Sequence, residues 1–173
     1  YYVELIPIER EIDVQKALAC GKEALALAER IGDKHSELQI GLHNANTLRA
    51  AGNNAKALAE LERLEKEAQT ENERIILAGA YVAKSRVYES LGEYDKGVSS
   101  GLLAASSYAE LGDSVGLASA LNNLGNNYLA LGNLDSAQLC YGKCLKIADL
   151  KRDMNSQANS LNNLALVLYR TED

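Results

Sequence analysis

A turn signal returns every 40 residues along this chain, and a second turn signal runs between its copies in the same step. Ile31-Gly32-Asp33, Glu71-Asn72-Glu73, Leu111-Gly112-Asp113 and Lys151-Arg152-Asp153 hold one position. Ala51-Gly52-Asn53, Leu91-Gly92-Glu93 and Leu131-Gly132-Asn133 hold the other. A fixed period in this range marks a stacked repeat array, in which one small unit is copied and buries its apolar face against its neighbours. Arrays of this kind offer long curved surfaces to partners.

The segments between the turns read as helices. Pro7 is the one proline in 173 residues. Ala, Leu, Glu and Lys, all strong helix formers, dominate the rest. Helices are expected at about 14–31, 34–51, 54–70, 74–91, 94–111, 114–131, 134–151 and 154–170. Asp33, Asp113 and Asp153 precede helical runs, where a carboxylate accepts from free backbone N–H groups. Asp95 and Asp135 fall in first turns, where negative charge suits the helix dipole. Gly92 and Gly132 follow helices, at positions that favour a left-handed residue.

Within one unit, starting at Ala118, the chain reads Leu121-x-x-Leu124-Gly125-x-x-Tyr128, then Gly132, then Ala137-x-x-x-Tyr141. This resembles the tetratricopeptide signature, with Leu in place of Trp and Tyr in place of Phe. The other copies keep the physical sense. The position of Gly125 is Ala45, Ser85 and Ala165 elsewhere, small each time as close helix contact requires. Ala137 aligns with Ala17, Ala57 and Gly97, and Tyr128 with Leu48, Tyr88 and Leu168. The first unit departs most: Leu5 falls at the small position and Pro7 lies nearby, so an irregular first helix is expected there. The family's usual unit is roughly 34 residues, so at 40 each helix gains almost a turn. Long units of this kind are similar to those of kinesin light chains, spindle-orientation adaptors and bacterial peptide-sensing regulators.

The resemblance implies an all-α fold, a right-handed α-solenoid of stacked antiparallel helical hairpins. It covers the chain as one repeat domain, 1–173, with units at about 1–37 (partial), 38–77, 78–117, 118–157 and 158–173 (partial). Both ends read as cut: Tyr1 begins inside a first helix, and Leu161, Leu164 and Leu168 are expected to lack the second helix that would cover them. The chain is therefore expected to be a segment of a longer protein, or to pair its ends with another chain.

Composition narrows the partners. Net charge is −6, which argues against nucleic acid and anionic membrane, since both call for a basic surface. No apolar run approaches the roughly 20 residues of a membrane span. Cys20, Cys140 and Cys144 form no framework spacing, so free thiols and a cytoplasmic location are expected. Cys140 and Cys144 share a helix face but have no third ligand nearby for zinc.

Catalytic patterns find no support in context. Gly112-Asp113-Ser114-Val115-Gly116 matches the G-x-S-x-G of hydrolase elbows, but that elbow needs a strand before it, and a helix is expected here. His35 and His43 stand at no defined spacing from a nucleophile. Glu60, Glu62, Glu65 and Glu67 crowd one helix beside Arg63 and Lys66, as a solvated face does. No catalytic residue, metal ligand or cofactor is therefore expected.

Asparagine is the unusual feature. The resemblance places the first helix of each unit on the inner wall, and these helices carry Asn44, Asn46, Asn122, Asn123, Asn126, Asn159, Asn162 and Asn163. Asn is a middling to poor helix former, so several in mid-helix need a reason. A carboxamide offers both donor and acceptor and so matches a peptide backbone. The alternative is that Asn stitches neighbouring repeats with no ligand involved. Asn46, Arg49, Arg86, Asn122, Asn126 and Asn162 are the candidate binding residues. Asn122 and Asn162 are expected side by side. Glu89, three residues from Arg86, is a candidate partner for it. The carboxylate clamp of chaperone-binding relatives is missing, since its positions include Leu42, Gly79 and Ala83.

The first reading is a non-catalytic module that binds a protein or peptide segment on its concave face. The second is a sensor or dimerisation segment of a larger bacterial signalling or transcription-regulating protein, forming a homodimer through its exposed terminal helix.

Overall fold

The computed structural model describes residues 14–171. Eight helices fill this range: α1 Val14–Ile31, α2 Lys34–Ala50, α3 Asn54–Thr70, α4 Arg74–Leu91, α5 Tyr94–Leu111, α6 Ser114–Ala130, α7 Leu134–Lys151 and α8 Met154–Thr171. The expected boundaries hold to within one residue. Among the described residues there is no strand. The readings made on Tyr1, Leu5 and Pro7 lie outside the described residues.

The turns explain why the helices stop where they do. Gly32, Gly52, Asn72, Gly92, Gly112, Gly132 and Arg152 all have positive φ, at a step of 20 residues. This left-handed residue ends the helix and lets the chain reverse. The next helix then starts on a polar cap. Asp113 Oδ1 accepts from the backbone N–H of Val115 and Gly116, both at 3.0 Å. Asp33 Oδ1 accepts from Ser36 N at 3.1 Å, and Asp153 Oδ1 from Ser156 N at 3.2 Å. Asn133 does the same for α7, accepting from Ser136 N at 3.2 Å. Asp95 and Asp135 occupy first turns as expected.

The second helix of each hairpin buries a narrow stripe at steps of four, three and four. It is Ala17, Gly21, Ala24 and Ala28 on α1, and Ala57, Leu61, Leu64 and Ala68 on α3. On α5 it is Gly97, Gly101 and Ala104, and on α7 Ala137, Tyr141, Cys144 and Ala148. Small residues dominate, so the backbones approach closely. Contacts divide the chain into two compact units, with the boundary between Ala83 and Lys84 inside α4. In the first unit, α1 packs on α2 and α2 on α3, with Ala24, Ala28 and Ile40 at one core. In the second, α6 packs on α5 and α7, and α7 on α8. Its core has two parts, Leu121, Leu124, Cys140 and Cys144 in one and Leu129, Ala137, Tyr141 and Val167 in the other.

Gly125 shows why its position must be small. A Cβ there would stand 2.6 Å from the Tyr141 ring. Ala45 and Ser85, its copies, are fully buried. The acidic face of α3 is partly paired. Arg63 bonds Glu60 at 2.6 Å and also Glu67, and Lys34 of α2 reaches Glu67 at 2.9 Å. These pairs are solvated and contribute little to stability.

Candidate functional site

A cleft of about 490 Å³ opens in the second unit between α6, the C-terminal turn of α7 and α8. Its walls are mostly carboxamides and hydroxyls: Asn122, Asn126 and Ser119 from α6, and Ser156, Asn159, Ser160, Asn162 and Asn163 from α8. The floor is apolar, with Cys144, Ile147 and Ala148. Lys151 and Asp153 put one charge of each sign at the rim. Of the residues picked out by sequence, Asn122, Asn126 and Asn162 come together here. Asn46 and Arg49 lie on α2 in the first unit and Arg86 on α4, and none of these three lines the cleft.

The carboxamides differ in what they have left to offer. Asn163 Nδ2 donates to Asn122 Oδ1 at 3.0 Å, joining α8 to α6. Asn122, expected beside Asn162, thus bonds the next residue along, while Asn162 faces the same cleft. This pair keeps the Asn122 amide hydrogens and the Asn163 oxygen for a ligand. Asn126 is more committed. Its Oδ1 accepts from the Tyr141 hydroxyl at 2.8 Å, and its Nδ2 stands 3.5 Å from Glu89 Oε1. Asn159 and Asn162 are exposed. Asn46 turns back on its own helix, donating to Leu42 O at 3.0 Å.

Protonation keeps the cleft neutral apart from its rim. Burial pushes the Tyr141 hydroxyl up, so it stays a donor. Burial, and then the neighbouring Cys140, push the Cys144 thiol up to about 12. A thiol so raised is no nucleophile near neutral pH, and its Sγ donates to Ala118 O at 3.2 Å. Hydrogen bonds from the Ser156 hydroxyl and backbone N–H hold the Asp153 carboxyl below its usual value, tying it to the cap of α8.

The other candidates resolve simply. Ser114 opens α6 behind the Asp113 cap, with helix α5 before it, so this turn lacks the strand that a hydrolase elbow requires. His35 Nδ1 lies 3.0 Å from Glu73 Oε2 at the surface. Among the described residues no His, Cys, Asp or Glu cluster could hold a metal, and no helix is long and apolar enough to cross a membrane.

One polar node was missed in the sequence. Asn127 is fully buried. Its Nδ2 donates to Asn123 O at 2.9 Å and to Ser85 Oγ at 3.2 Å. Ser85 Oγ in turn donates to Gly97 O at 2.8 Å. The node ties α4, α5 and α6 together. The available signal was a paired change: Gly97 replaces the Ala of other units, and Asn127 replaces the Val or Thr seen at Val87, Val167 and Thr47.

Known proteins share this architecture. The tetratricopeptide repeat profile matches residues 76–149. BtubC (BKLC) from P. vanneervenii superposes with a TM-score of 0.78 at 21% identity, over 93% of this chain and 68% of that one. Nearly identical TPR-like repeats of a putative kinesin light chain from Podosopora anserina give 0.77 at 18% identity, over 99% and 85%. PH0952 of Pyrococcus horikoshii, a signal transduction ATPase with a tetratricopeptide repeat sensor, gives 0.79 at 21% identity, over 100% of this chain and 27% of that one. No curated protein matches at the level of sequence. The chain therefore carries tetratricopeptide repeats, in a long unit of 40 residues.

Proposed function

We propose that the chain is a non-catalytic binding module that holds an extended peptide or protein segment in the cleft between α6 and α8. The observation that carries this reading is the row of uncommitted carboxamide atoms on Asn122, Asn159, Asn162 and Asn163 above an apolar floor. Paired donors and acceptors fit the edge of a peptide backbone, and the floor takes one apolar side chain. Preformed walls lower the ordering cost of binding. Asn126 acts here as a support, since Tyr141 occupies its oxygen.

Selection from a random-peptide display library against the chain tests the reading. Enriched peptides should bind Asn122→Ala/Asn162→Ala about tenfold or more weakly, a loss of about 1.4 kcal/mol, with helicity unchanged. Failure to enrich any peptide, or equal binding to the variant, overturns it.

A sensor role within a larger signalling protein is the second reading. Similarity to the PH0952 chain, whose repeats are described as a sensor, favours it.

A further inference from the structure

The last helix carries a second surface, separate from the cleft. Met154, Ala158, Leu161, Ala165, Leu168 and Tyr169 are all exposed on α8, with Leu161 at 55%, Leu168 at 53% and Tyr169 at 67%. At 3.6 residues per turn they fall within an arc of about 100°, and no charged side chain of α8 lies in that arc. The opposite side of the helix is satisfied: Ser160 and Val167 are buried against the rest of the unit. Leu164, expected to be uncovered, is in fact half-buried, because it packs on the Tyr141 and Val167 core.

The repeat itself shows what such a face receives. Forty residues earlier, α6 presents Leu121, Gly125 and Tyr128, and α7 covers them. Cys140 and Cys144 pack on Leu121, and the Tyr141 ring lies on Gly125. Leu121 is 7% exposed in consequence, against 55% for Leu161. The face on α8 is therefore shaped to take a helix.

We infer that a second copy of this chain supplies that helix, through α8 itself. An antiparallel two-fold centred on Asn163 sets Leu161 opposite Ala165 of the second copy and Leu168 opposite Ala158. Every large side chain then meets a small one, so the stripe is complementary to itself, as an isologous dimer contact requires. The absence of charge within the stripe removes repulsion between the two copies.

Sedimentation equilibrium of the chain tests this, run from micromolar to submillimolar concentration. The expected species has twice the 18.7 kDa chain mass. Leu161→Glu/Leu168→Glu should reduce it to the single mass with an unchanged helical spectrum. Ala165→Glu, at a small exposed position, should do the same. Leu150→Glu, at an 85% exposed residue off the stripe, should leave the dimer intact. Mixing Leu161→Cys copies with Ala165→Cys copies should give a cross-linked pair faster than Leu161→Cys alone. A wild-type chain that stays single at every concentration overturns the inference, as does a dimer that survives both glutamate variants or cross-links equally in either mixture.

Discussion

Gly97 and Asn127 behave as one exchangeable pair. A Cβ on Gly97 would sit 2.0 Å from Asn127 Oδ1, so Gly97→Ala must push the amide off its bonds to Ser85 and Asn123. The expected cost is about 1–3 kcal/mol. In the next unit the same two positions are Ala137 and Val167, which pack together in one core. Adding Asn127→Val to Gly97→Ala should therefore recover most of the loss, read as a positive coupling in a urea double-mutant cycle. A double variant weaker than the sum of the singles refutes the exchange. Cys144 gives a second test. Its thiol rises from 9.0 to about 12 on folding, so the folded chain holds this proton where the unfolded chain releases it. Stability from this group is whole below pH 9 and drains as pH climbs towards 12. Urea midpoints measured at neutral and alkaline pH should show a smaller alkaline loss in Cys144→Ala than in wild type. Equal losses would show that the thiol plays no part. The sequence marked Asn122, Asn126 and Asn162 because Asn is out of place in mid-helix. It concealed Asn127, because only comparison of units reveals that its volume matches a missing methyl.

At the scale of the element, turn chemistry made the helices legible. Helix ends are local events, decided by a left-handed residue and a cap three residues long, so a single strand of sequence contains them. Two of the seven turns put a side chain in the left-handed slot, Asn72 at φ 56° and Arg152 at φ 57°. The other five use Gly there. A non-glycine residue in this region costs about 1 kcal/mol relative to Gly, so Arg152→Gly should stabilise the α7–α8 turn by about 0.5–1 kcal/mol. For a chain of this size that is a rise in melting temperature of about 2–4 °C. Unchanged or lower melting would mean that the Arg152 side chain contributes more than the backbone gains. Helix pairing was legible too, through Gly125. Gly125→Leu drives a large side chain into the Tyr141 ring, and a loss of about 1–3 kcal/mol is expected in the same urea assay.

For the molecule as a whole, the 40-residue step was the most readable property, because stacking demands that each unit repeat the same contacts. The site was less so. Whether a carboxamide is free depends on residues some 40 positions away, as Asn122 depends on Asn163, and spacing alone cannot assign such partners. The same stacking logic grades stability along the second unit. Seven residues of α6 are buried but only two of α8, because α6 is packed by α5 and α7 while α8 keeps one face open. Local opening should follow that order, since few buried apolar contacts mean cheap opening. Native-state hydrogen exchange should find the α8 amides exchanging faster than those of α6 in dilute solution. Protection of α8 should then rise with protein concentration as a second copy closes over Leu161 and Leu168, while α6 changes little. Exchange from α8 as slow as from α6 in dilute solution would contradict the grading, and α8 protection that ignores concentration would leave its stripe without a second copy.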